Sequence, residues 1–379
     1  MERWVRAAAA AALLALAFTA GASAGPRLIV GVDDDWLKWV VAPDRIVSAY
    51  DELNIGAVRV TLRWQPGEYG LDSVSRLQLR RVVNGAPGTV RIVLAVYGSA
   101  RDAPRSAAAR MQYCSFVADA LHFAPGLADI VIWNEANSTR FWRPQRGAAA
   151  AYEALLADCY DELHAVRKRL NIVTSTAPHD DPGRFITALG AAYRASGRRE
   201  RIFDSFGHNP YPNTNTESPL TVHAGSGAID EGDYETLMAR LREAFGGTTQ
   251  PVPGTANVRI WYLEDGFETA VPLEKRATYT GREIARSLVE AAPAPTPGTR
   301  SPRDQAAQLR DAIELAYCQP AVGAFFNFQL ADEHRLSGWQ SGVLWADWTR
   351  KPSYATLKKA VNDVLTQQID CSRFPESVR

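Results

Sequence analysis

Eight short apolar runs, each followed by a stretch of helical periodicity, constrain this chain more than any other feature. The runs are Leu28–Val32, Ala57–Trp64, Thr89–Val96, Ile130–Trp133, Asn171–Thr176, Phe203–His208, Val258–Glu264 and Val322–Phe328. Their β-branched and aromatic content is that of strands buried on both faces, as in a parallel sheet. Helices are predicted over Asp44–Asn54, Leu71–Val83, Arg105–Phe123, Gln145–Leu170, Phe185–Ser196, Tyr234–Phe245, Glu283–Ala291, Asp304–Cys318 and Tyr354–Thr366. Strict strand–helix alternation, eight times over, predicts an α/β chain folded as a (β/α)8 TIM barrel, one domain with long loops on one face. A doubly wound open sheet shares the alternation. Such a sheet often announces itself by a Gly-rich phosphate loop after its first strand. Here the first run closes instead in Asp33-Asp34-Asp35-Trp36.

In a barrel the reacting groups sit where strands end, at the C-terminal rim. The fourth run ends abruptly in Asn134-Glu135, and the seventh, Val258-Arg-Ile-Trp-Tyr-Leu-Glu-Asp265, ends in Glu264. An acid directly after a buried strand is poorly placed for packing and well placed for chemistry. Glu135 alone could merely cap the next helix. Two strand-end glutamates are what glycoside cleavage with retention requires, with carboxyls ~5–5.5 Å apart. One attacks as a carboxylate. The other must be held protonated to assist the leaving oxygen. Asp265 and Glu268 are rival acids near the seventh run, but both lie past the expected strand end, and Asp265 alternates to the other face. Tyr262, two residues before Glu264, is expected to share its face.

Trp133-Asn134-Glu135, followed by Phe141-Trp142, resembles the strand-four signature of clan A retaining glycoside hydrolases, the superfamily of the cellulase-like family five and the xylosidase-like family thirty-nine. The resemblance covers nearly the whole chain as a rhythm and a few positions as motifs. It implies that Glu135 is the general acid/base and Glu264 the nucleophile. Asn134 would bond the sugar hydroxyl beside the anomeric carbon. Arg59, in the second run, resembles the clan's strand-two arginine and would stand beside Glu264. His208 and Tyr211, after the sixth run, resemble its His/Tyr pair near the nucleophile. Two departures are visible. Ala136 stands where many members have Pro, and the eighth run ends Asn327-Phe328-Gln329 with no Trp at its tip.

Ten Trp is a high count, and indoles on the active face can stack on sugar rings. By position Trp64, Trp142 and Trp339 are the candidate sugar platforms, with Trp36 and Trp345 in comparable loops. Trp339 is favoured, since the clan commonly places an aromatic platform after strand eight.

The first 24 residues read as a signal peptide. Arg3 and Arg6 supply charge, Ala7–Thr19 an apolar run, and Ala22-Ser23-Ala24 a small-residue cleavage site. Residues 25–379 would then be an exported catalytic barrel, secreted or periplasmic. Four cysteines remain after the cut, an even number in an oxidising compartment. The expected pairs are Cys114–Cys159, on consecutive helices, and Cys318–Cys371, tying the tail to the last long helix. The 42 basic and 42 acidic residues cancel, which gives no electrostatic case for nucleic acid or an anionic membrane. Only six His, with His179, His208 and His334 scattered, argue against a metal-dependent barrel hydrolase, and no cofactor is expected. The expected partner is an oligosaccharide, polysaccharide or glycoside. Two further readings are a transglycosylase, which would use the same residues, and a non-catalytic carbohydrate-binding barrel, which would be expected to lack or misplace one of the two carboxylates.

Overall fold

In the computed structural model, which describes residues 28–281 and 302–379, the eight runs form eight parallel strands that pair in chain order, and the last returns to the first. They are β1 (Ile29–Asp33), β2 (Ala57–Arg63), β3 (Arg91–Tyr97), β4 (Asp129–Ile132), β5 (Asn171–Val173), β6 (Ser205–His208), β7 (Arg259–Asp265) and β8 (Val322–Phe328). The expected (β/α)8 barrel is therefore the fold. The helices are α1 (Trp36–Trp39), α2 (Asp44–Leu53), α3 (Ser73–Gly85), α4 (Ala107–Phe123), α5 (Ala148–Val166), α6 (Pro182–Ala195), α7 (Tyr234–Phe245), α8 (Pro302–Cys318) and α9 (Pro352–Thr366). The signal segment and the helix expected near residues 283–291 lie outside the described residues.

Local chemistry sets the element ends. Asp72 accepts from the Ser75 amide to start α3, and Ser106 accepts from Ala109 to start α4. Asn54 ends α2 in the left-handed region at φ 54°. Two strands are shorter than their apolar runs. β5 stops at Val173 because the Ser175 amide turns to the Tyr152 hydroxyl, 3.0 Å away. β6 starts at Ser205 because the buried Gln250 carboxamide oxygen takes the amide of Ile202 at 2.8 Å. The short helix α1 was not expected. It follows from Asp34, whose Oδ1 accepts from the Trp36 amide at 2.7 Å and turns the chain out of β1.

Register matters most in β7. Tyr262 pairs with Phe325 and Asp265 with Asn327, so β7 carries one residue more than β8 over this stretch. The bulge breaks the two-residue alternation. Tyr262 therefore does not share the setting of Glu264, as simple alternation implies. Its hydroxyl donates to Gln319 Oε1, just past α8, at 2.6 Å.

Both expected disulfides are present. Cys114–Cys159 joins α4 to α5, and Cys318–Cys371 joins the end of α8 to a turn at Cys371–Arg373. Among the described residues no helix is long and apolar enough to cross a membrane.

Candidate active site

The strand ends converge on one guanidinium. Arg59, in β2, is 1% exposed. Its Nη1 donates to Asp33 Oδ2 at the end of β1 and lies 2.8 Å from Glu264 Oε1 in β7. Its Nη2 donates to Asn134 Oδ1, just past β4, at 3.1 Å. One planar cation in β2 thus ties the C-terminal ends of β1 and β7 and the turn after β4, a task that suits the fixed fork of arginine. Burial works against the guanidinium's charge, but Asp33 and Glu264 outweigh it and raise its pKa further. Burial in turn pushes the Asp33 carboxyl well above the usual carboxylate range, against the pull of Arg59.

Glu135 leaves β4 in a conformation few non-glycine residues adopt, with φ 37°, and Trp133 stands at φ 61°. The surroundings pin this turn. The Glu135 amide donates to Ser175 Oγ at 3.1 Å, and Ser175 Oγ donates to Asn134 Oδ1 at 3.0 Å. Two donors on Oδ1 leave the NH2 of Asn134 as the end of the amide that can donate to a ligand. The Glu135 side chain is buried, and Asn209 Nδ2, past β6, donates to its Oε1 at 2.8 Å. Burial first, and the charge of Glu264 second, push the Glu135 carboxyl up to about 8, and the Asn209 bond opposes them.

Glu264 is held at both oxygens. Arg59 takes Oε1, and the Tyr211 hydroxyl donates to Oε2 at 3.2 Å. Burial, then the Glu264 charge, hold that hydroxyl well above the ordinary tyrosine range, so it stays a donor. The ring of Tyr211 packs against Trp339 at 5.3 Å, and Trp339 packs against Phe328 at the end of β8. The indole N–H of Trp339 is buried with no partner among the described residues.

Of the residues singled out in the sequence, Glu135, Glu264, Asn134, Arg59, Tyr211 and Trp339 come together here. His208, Trp64 and Trp142 do not. His208 is fully buried with Nε2 donating to the Ile229 carbonyl at 2.8 Å and Nδ1 against Thr176 Oγ1. Burial lowers it to about 4, so it is a neutral bracket for the loop after β6 and bonds neither glutamate. Trp64 and Trp142 are fully buried, edge-on to Trp133 from two sides. Their faces are covered by protein, which removes them as sugar platforms. The Trp64 indole donates to the Glu68 carbonyl at 3.0 Å.

Two contributors escaped the sequence reading. Asp33 ends β1 as Glu135 ends β4, and the same strand-end argument would have found it. Asn209 had no such signal, because an Asn before Pro reads as a turn. The rival acid Asp265 is fully buried, with Oδ1 on the Gly266 amide and its carboxyl raised by burial. Away from the site, Glu217, His223 and Asp230 bring ligand-type atoms within 4.8 Å of one another. They are already hydrogen-bonded in a latch with Asn213 and Asp233.

The sequence matches no family model and no curated protein. Solved structures do match. A family 39 glycoside hydrolase from Bacteroides cellulosilyticus superposes with a TM-score of 0.58 at 15% identity, over 88% of this chain and 64% of that one. A monomeric β-xylosidase from Caulobacter crescentus gives 0.55 at 13% identity, over 88% and 68%. A family 39 enzyme from Xanthomonas axonopodis pv. citri gives 0.54 at 12%, over 90% and 68%. The likeness shows the fold. This chain carries a barrel of the kind those glycoside hydrolases use, and it spans about two thirds of their length. What the barrel does rests on its own residues.

Such a site can supply a proton from one carboxyl and a negative charge from another. It also has one amide donor and a hydroxyl donor beside them.

Proposed function

We propose that this chain is an exported retaining glycoside hydrolase that cleaves β-linked O-glycosidic bonds by double displacement. The observation that carries the reading is the unequal setting of the two strand-end glutamates. Glu135 is pushed up to about 8, while Glu264 is salt-bridged to a buried arginine at 2.8 Å. Pairs of carboxyls whose environments differ in this way divide into acid and nucleophile.

In the first step Glu264 attacks the anomeric carbon. Glu135 gives its proton to the leaving oxygen as that bond breaks. Asn134 donates to the neighbouring sugar hydroxyl. In the second step Glu135, now ionised, takes a proton from water, which attacks the same carbon and releases Glu264. Trp339, packed beside Tyr211, offers the sugar its indole N–H, which has no partner among the described residues. Export is supported by the Arg3–Ala24 segment and by two disulfides, which persist in oxidising compartments.

The test is hydrolysis of aryl β-glycosides by the parent, Glu135→Ala and Glu264→Ala, with and without azide. Both variants should lose about 10²–10⁴ in kcat on substrates with poor leaving groups. Azide should rescue Glu135→Ala to a β-glycosyl azide and Glu264→Ala to an α-glycosyl azide. Full activity in Glu264→Ala would place the nucleophile elsewhere.

A further inference from the structure

Beside the catalytic carboxyls lies a group of charges that the chemistry above does not use. The loops after β3 and β4 form an open groove of about 570 Å³ lined by Arg101, Arg105, Thr139, Arg143, Pro144 and Gln145. All three arginines are exposed, as is Arg140 next to the groove. None of the four has a carboxylate partner among the described residues. The loops themselves are firmly built. The Arg143 amide donates to the Ala100 carbonyl at 2.8 Å, joining one loop to the other. Arg143 Nε donates to Thr139 O at 2.6 Å. Gln145 Nε2 bonds the carbonyls of Ala136 and Trp142 at 3.1 and 2.9 Å. The scaffold holds like charges together without neutralising them, in a chain whose net charge is zero. Such a focus of positive potential attracts an anion.

Position says which part of a substrate meets it. Thr139 lies four residues past Glu135 on the same loop. The positive charge of Arg140 reaches Glu135 and favours its ionised form. Glu135 gives its proton to the leaving oxygen, so whatever departs leaves on this side of the site. We propose that the groove is a leaving-group subsite for an anionic saccharide, one whose leaving portion carries carboxylate or sulfate groups. This rests on the assignment of Glu135 as acid. Guanidinium groups meet carboxylate and sulfate oxygens as paired N–H donors. A nucleic acid is the less favoured polyanion, since no aromatic side chain lines the groove for base stacking.

The experiment is calorimetric titration of the full-length chain carrying Glu264→Gln, so that nothing is turned over. The probes are an oligogalacturonate (carboxylate only), a carrageenan oligosaccharide (sulfate only), neutral xylan and cellulose oligosaccharides of the same length, and a single-stranded oligonucleotide. One or both anionic saccharides should bind about tenfold or more tightly than the neutral ones, with the advantage shrinking at high salt. The arm that binds names the anion. Adding Arg101→Gln, Arg105→Gln and Arg143→Gln together should remove that advantage, about tenfold, and leave neutral oligosaccharides unchanged. A version with only Arg101→Gln and Arg105→Gln, which keeps the Arg143 tether, should lose part of it. Equal binding of charged and neutral saccharides, no loss in the arginine variants, or equal binding of the oligonucleotide would overturn the proposal. The azide test uses neutral aryl leaving groups, so failure of the glycosidase reading appears there and failure of the groove appears here.

Discussion

At the scale of single residues, the site is one cation between two carboxyls, Asp33 and Glu264, with a third carboxyl, Glu135, kept neutral by burial. Two predictions follow from that arithmetic. Asn209 donates to Glu135 Oε1 and so favours its charged form. In Asn209→Ala the Glu135 carboxyl should rise above its present value of about 8. The basic limb of the kcat/KM profile, which marks loss of the acid's proton, should move to higher pH. An unmoved limb would mean that Asn209 only fills space. Arg59→Met is harsher, because it leaves Asp33 and Glu264 buried without their cation. It should cost about 3–5 kcal/mol in denaturant unfolding and abolish activity. Arg59→Lys keeps a charge but cannot reach Asp33, Glu264 and Asn134 at once, so it should restore stability before it restores rate. At this scale the sequence was informative where position alone decides. Glu135, Glu264, Asn134 and Arg59 are strand-end or strand-interior residues whose direction follows from the barrel. Trp64 and Trp142 misled because loop position says nothing about cover. Three other aromatic rings, of Trp133, Tyr113 and Tyr152, close over them, and those contacts arise only when the loops meet the helices α4 and α5.

At the scale of elements, β6 is the piece the site leans on most. It is four residues long, yet the chain leaving it supplies Asn209 to one glutamate and Tyr211 to the other. Gly207 lets it pack there. A Cβ at this position would stand 2.0 Å from the Thr174 carbonyl oxygen and 2.5 Å from Leu263 Cδ1. Gly207→Ala must therefore push β6 away from β5 and β7. Activity should fall by more than the loss of stability predicts, since both glutamates lose a partner together. Equal activity at equal folded fraction would show that the loop adjusts independently. Most helix positions were legible from apolar spacing, the Cys114–Cys159 bridge from consecutive helices, and the Cys318–Cys371 bridge from a tail that needs tying to a helix. The bulge in β7 was not legible, because nothing in Arg259–Asp265 marks an extra residue until β8 pairs with it. Opening the Cys318–Cys371 bridge by a double Ser substitution should lower unfolding stability by about 2–4 kcal/mol, read as a shift in the denaturant midpoint. The tail should loosen first, while the barrel mouth, on other elements, keeps its activity below the transition.

For the whole molecule, the chemistry of the site has a counterpart in the pH dependence of folding. Burial raises the carboxyls of Asp33, Asp34, Glu135, Glu231 and Asp265, with Asp34 at about 7 and Glu135 at about 8. In the unfolded chain these groups titrate near pH ~4. Between that pH and about 7–8 the folded chain retains protons that the unfolded chain has released. Stability therefore falls as pH rises through this window. His208 acts with the opposite sign. It is lowered to about 4 in the fold and titrates near ~6.5 when unfolded, so its contribution is lost as pH falls from ~6.5 toward 4. With five such carboxyls against one imidazole, the summed contribution of these groups is greatest near pH ~4 and falls as pH rises from there. The two groups with most to gain are Glu231, whose carboxyl oxygens have no hydrogen-bond partner among the described residues, and Asp265, with one such oxygen. Glu231→Gln removes the group that must ionise there. Its unfolding midpoint should match the parent near pH ~4 and exceed it increasingly as pH rises from there. Denaturant midpoints from pH 4 to 9 for both proteins decide the matter. A parent midpoint that climbs steadily to pH 9, or a Glu231→Gln curve that runs parallel to it, would sink the account. In that outcome the buried carboxyls ionise without cost, and the proton on Glu135 would need a cause other than burial.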